Sequence, residues 1–123
     1  ILASGDSAQV QARRLETPDL GPVGTAWQAL RLQEAHAYAE AAALWASINI
    51  EAAVDWPIGW RQEWAVQHRA WWAEAATRAG QGKVGARVAR TAAETARKIG
   101  AREWAATLDW WAQRADARSR SSP

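Results

Sequence analysis

Between residues 25 and 122, glycine and proline occur at only six positions: Pro57, Gly59, Gly80, Gly82, Gly85 and Gly100. Such residues punctuate a chain, because Gly opens the left-handed backbone and Pro cannot sit inside a continuing helix. The segments left whole are 26–56, 60–79, 86–99 and 101–122, and they are rich in Ala, Glu, Gln and Arg, a strongly helix-forming mixture. The expected class is therefore all-α: four to six helices packed as antiparallel hairpins, or an irregular helical bundle.

The same signals give the expected boundaries. Residues 1–24 read as a short helix over Asp6–Glu16 and a turn-rich connection, where Thr17, Pro18, Asp19, Gly21, Pro22 and Gly24 exclude a regular element. Thr25 is expected to cap a helical stretch from Ala26 to about Val54, with Trp27, Leu30, Tyr38, Ala42, Trp45, Ile48 and Ala52 at helical spacing. That stretch is long for one globular helix, so a break is expected, with Ile48-Asn49-Ile50 the weak point. Asp55-Trp56-Pro57 restarts the chain as a helix to Ala79, with Gly80 as its C′ residue. Further helices are expected over Val84–Ile99 and from Ala101 or Arg102 to about Arg118, closing a domain of residues 25–118. Residues 119–123 read as a flexible tail.

At 123 residues the chain suffices for one domain. It holds 31 Ala but only 18 Leu, Ile, Val and Phe together, a fraction that by itself suggests disorder. The net charge of +2 and the ten Trp argue the other way, since each Trp buries about 150–250 Å². Small Ala faces let helices approach closely and leave room for large Trp knobs. The absence of Cys excludes disulfides, thiolate metal sites and a Cys nucleophile, and fits a cytoplasmic setting. No apolar run is long enough to span a membrane, and no leader pattern is read. The chain begins with Ile and contains no Met, so it is expected to be an excised or processed piece of something longer.

Residues 79–87, AGQGKVGAR, match G-x-G-x-x-G. That pattern binds a dinucleotide only between a strand and a helix, within a βαβ unit. Here EWAVQHRAWWAEAATRA precedes it, a helical pattern, so the expected role is a turn between two helices and no nucleotide. His36 and His68 lack a metal-ligand spacing. No serine lies in a G-x-S-x-G elbow. Glu74–Arg78 and Glu94–Lys98 are i,i+4 surface pairs. Together these predict a protein that is not an enzyme and takes no cofactor or metal.

Charge is uneven. Residues 1–77 carry five Arg against nine acids, a balance of −4, while residues 78–123 carry ten Arg and Lys against four acids, a balance of +6. Nucleic-acid binding by this half alone is disfavoured, because its basic residues alternate with Ala and with Glu94, Glu103 and Asp109, leaving no evident recognition helix. Trp60, Trp64, His68, Trp71 and Trp72 recur along one broad side of the helix 57–79. Trp64 and Trp71 are expected to pack inward. Trp60 is expected to be partly exposed, and Trp56, Trp60, His68 and Trp72 are the candidate partner-binding residues.

The segments RAWWAEAATRAG and ARTAAETARKIGAREWAATLDWWAQRA resemble the last tetratricopeptide-like repeats of large ATP-binding LuxR-type transcription regulators. Ala73-Glu74, Gly80, Ala93, Ala96 and Gly100-Ala101 carry the match, over about residues 57–117. Ala86 and Ala93, then Trp104, Leu108 and Trp111, fit the tetratricopeptide frame. Trp stands where Leu is usual at 71, 72, 104, 110 and 111, and the Pro expected after the second helix is missing. The resemblance implies an α-solenoid fragment that binds a protein partner or neighbouring repeats. The ATPase and helix-turn-helix motifs of those regulators are absent from the sequence, so neither ATP hydrolysis nor operator binding is implied. The leading expectation is thus a helical-repeat interaction or sensor module. The alternatives are a Trp-lined bundle for a small hydrophobic ligand and a nucleic-acid binder using the basic half.

Overall fold

A computed structural model describes residues 21–48 and 58–121, apart from the side chains of Pro22, Ser121 and residues 58–61. Five helices occupy them: α1 (Pro22–Glu34), α2 (Tyr38–Ser47), α3 (Ile58–Arg78), α4 (Gly82–Lys98) and α5 (Arg102–Ser121). The protein is all-α, as its Gly and Pro spacing predicts. The expected helix Asp6–Glu16 and the restart at Asp55-Trp56-Pro57 lie outside the described residues.

Several boundaries differ from expectation, and α4 for one begins at Gly82, two residues before Val84. Helix α1 starts before Thr25, with Gly21 at the N-cap and Pro22 in the first turn, whose missing N–H would have been unpaired anyway. The Thr25 hydroxyl instead reaches back to the Gly21 carbonyl at 3.4 Å. The first break in 26–54 falls at Ala35–Ala37, ahead of Ile48. There His36 takes φ 62°, and the N–H groups of His36 and Ala37 donate to the carbonyls of Gln33 and Leu32 at 3.0 and 2.9 Å. This two-bond C-terminal cap recurs at Gly80 and Gly100, with φ 85° and 79°. A His thus does at the first turn what Gly does at the next two. Finally, α5 continues through 119–121, which the sequence suggested was a tail.

Each helix packs on its predecessor, and α5 also returns to α3. Helix α3 is shared between two apolar clusters. Val66, Ala70 and Ala73 face α4 and α5, while Ala75, Ala76, Trp64 and Trp71 join Ala26, Ala29, Ala41 and Trp45 from α1 and α2. Trp72 and Val84 touch both. On α4 the buried face is Gly82, Gly85, Ala86, Val88, Ala89, Ala92, Ala93 and Ala96, almost all of it small. That face explains the glycine pattern. A Cβ on Gly82 would stand 2.7 Å from the Ala115 carbonyl of α5, and one on Gly85 would collide with the Thr77 hydroxyl and sit 3.2 Å from the Ala73 carbonyl of α3. Gly80 makes the turn, and Gly82 and Gly85 let three helices touch.

Candidate partner-binding surface

The Trp-rich side of α3 gathers around one histidine. His68 is only 2% exposed, and Nε2 lies 2.6 Å from the Trp45 carbonyl in the last turn of α2. That oxygen can only accept, so Nε2 carries the proton and Nδ1 is the acceptor of a neutral ring. Nδ1 is buried without a hydrogen-bond partner. The rings of Trp72, Trp45 and Trp64 surround it, with centroids 5.6, 5.7 and 6.2 Å away, and Trp71 stacks on Trp45 at 5.4 Å. Burial lowers the His68 pKa below 6.5, the Trp45 hydrogen bond raises it, and Arg69 lowers it further.

Of the candidate partner-binding residues, Trp56 lies outside the described residues and the side chain of Trp60 is not described. His68 is interior. Trp72 is half-buried against both clusters. Trp64 and Trp71 are also half-buried, packed toward α1 and α2. The structure therefore brings Trp64, His68, Trp71 and Trp72 together with Trp45 of α2, and most of that assembly faces inward.

A polar relay leads from this assembly to the surface. The Trp45 indole donates to Gln33 Oε1, and the Gln33 amide donates to Glu74 at 3.5 Å. Glu74 pairs with Arg78 at 3.4 Å, and Arg78 donates to the Tyr38 hydroxyl at 3.3 Å. The Arg78 guanidinium lies over two rings, 5.5 Å from Tyr38 and 5.7 Å from Trp111. Trp111 meets Trp110 edge-on at 4.7 Å, and Arg114 covers Trp110 at 5.1 Å. On the other flank His36 stacks on Tyr38 at 5.6 Å. A continuous row of rings and guanidinium groups thus crosses from the α1–α2 turn to α5.

Trp27 and Trp110 are the exposed tryptophans among the described residues, at 65% and 50%, and Val23 lies one turn from Trp27. Sequence reading missed both. For Trp110 a signal existed: Trp104, Leu108, Trp111 and Ala115 share one arc of α5, and an adjacent residue points about 100° away. In α1 the buried positions are Ala26, Ala29 and Leu32, so Trp27 projects to solvent.

Among the described residues no cluster of His, Asp or Glu could hold a metal ion, and no helix is long and apolar enough to cross a membrane. No family model, curated relative or solved structure matches the chain.

Proposed function

We propose that this chain is a non-enzymatic helical-repeat interaction module that works in the cytoplasm as part of a larger transcription regulator. The observation that carries this reading is the exposure of Trp27 on α1 and Trp110 on α5, at the two ends of a helix array whose interior is filled mainly by Ala. A large rigid aromatic left at an array end is where a neighbouring repeat or a partner gains most from contact. The resemblance of residues 57–117 to tetratricopeptide-like repeats, and the packing of α5 on both α4 and α3, support the same reading. The test is proximity labelling in the native host with wild type and a Trp27→Ala/Trp110→Ala variant. Protein neighbours should be lost in the variant while its circular dichroism stays that of the wild-type helices; an unchanged neighbour set refutes the module.

A small hydrophobic ligand is the second reading, favoured by the unpartnered His68 Nδ1 within its Trp surround. Saturable quenching of Trp fluorescence by hydrophobic small molecules, with no protein partner present, would replace the first reading with the second.

A further inference from the structure

The row of rings and guanidinium groups has a chemistry that selects a partner. Trp110 is half exposed, yet its edge is set against Trp111, which belongs to the core. Arg114 is exposed, and its guanidinium lies over the Trp110 ring at 5.1 Å. Arg78 lies over Trp111, held there by Tyr38 and Glu74. A guanidinium stacked on a ring keeps its in-plane N–H donors available, and in-plane donors match a carboxylate in bidentate geometry. Stacking also holds the side chains in place before any partner arrives, which lowers the ordering cost of binding.

Arg114, one turn from Trp110 on α5, is exposed and forms no ion pair among the described residues. Arg90 and Arg97 are instead matched to Asp116 and Asp109 on the side of α5 that faces α4. The acids near the row are Glu74, already engaged with Arg78, and Glu103, two turns before Trp110. A half-exposed ring beside one unmatched guanidinium group calls for an apolar residue beside a carboxylate.

We propose that the Trp110–Arg114 end of this row docks an acidic protein segment, which seats an apolar side chain on Trp110 and directs a carboxylate to Arg114. The proposal rests on the reading of the chain as a protein-interaction module and names the chemistry of its partner. Phosphates of a single strand are the competing anions, but stacking of successive bases needs several open rings, and the row presents one open Trp.

The test uses the full chain and a fluorescein-labelled amphipathic peptide of Glu and Leu, read by anisotropy. Controls are the same peptide with Lys for Glu, and an oligothymidylate. The Glu peptide should bind saturably and weaken with salt, while the Lys peptide should not bind. Arg114→Gln should weaken the Glu peptide about tenfold and Trp110→Ala by at least that much. Arg114→Gln removes only an exposed side chain, so its melting curve should overlay wild type. The proposal is overturned by absent saturable binding, by equal binding of the Lys peptide, by tighter binding of oligothymidylate, or by an unaffected Arg114→Gln. Any of these, with cellular neighbours still lost in the Trp27→Ala/Trp110→Ala variant, removes the acidic partner and leaves the interaction module standing.

Discussion

Replacing the glycines of AGQGKVGAR one at a time separates their jobs. Gly80→Ala meets no atom within 4 Å but must keep φ 85°. Its cost is that of a side chain in the left-handed region, about 1–2 kcal/mol. Gly82→Ala places a methyl 2.7 Å from the Ala115 carbonyl and 3.1 Å from the Ser119 amide nitrogen, both backbone, so α5 must move away. Overpacking of this kind costs about 1–3 kcal/mol, against which Ala returns up to about 1 kcal/mol of helix propensity. Gly85→Ala collides first with the buried Thr77 hydroxyl, a side chain with some freedom, and then presses on the Ala73 carbonyl at 3.2 Å. Thr77→Ala should therefore relieve part of the Gly85→Ala loss, with a coupling of about 0.5–3 kcal/mol, and leave Gly82→Ala unrelieved. Urea unfolding followed by circular dichroism reads the four single and two double variants. If Gly82→Ala and Gly85→Ala stabilise the protein, as Gly→Ala does on an open helix, the close approach of α3, α4 and α5 is refuted. ATP or NAD that raises the melting temperature of wild type but not of Lys83→Ala would instead make the segment a phosphate loop.

Other expectations follow from the core and the turns. The folded His68 pKa lies below its unfolded value of 6.5, so its contribution to stability is present above pH 6.5 and lost as pH falls through the folded value; urea midpoints measured across that range should drop with acid in wild type and much less in His68→Gln. Trp45 is fully buried, so Trp45→Ala should cost about 3–5 kcal/mol by urea unfolding, whereas Trp27→Ala should stay within about 0.5 kcal/mol. His36→Gly relieves a left-handed His at the loss of its Tyr38 stack, and should raise the thermal midpoint by an amount equivalent to about 1 kcal/mol or less.

Much of the fold was legible because it is written locally. Gly80 and Gly100 end α3 and α4 by supplying a backbone conformation that other residues resist, and the helix-forming segments between such residues need no distant partner to be recognised. The helix before AGQGKVGAR was likewise enough to read its glycines as structural. The first turn was not legible. His36 carries no Gly or Pro turn signal, although it takes φ 62° and makes the same two cap bonds that Gly80 and Gly100 supply.

The candidate surface divides in the same way. Sequence by itself determined that a Trp-rich, Ala-rich chain would be helical and would place Trp64, His68 and Trp71 on one broad side of a helix, because periodicity is a property of the helix alone. Which tryptophans meet solvent was decided by tertiary structure. Ala26, Ala29, Ala89, Ala93 and Ala96 form the contact faces, since helices approach closest where side chains are small, and that choice turned Trp27 and Trp110 outward and closed His68 in. Hydrophobicity ranks the Trp above the Ala, but the helix axes settle where their separation is least, and that separation is fixed only when all the helices are in place.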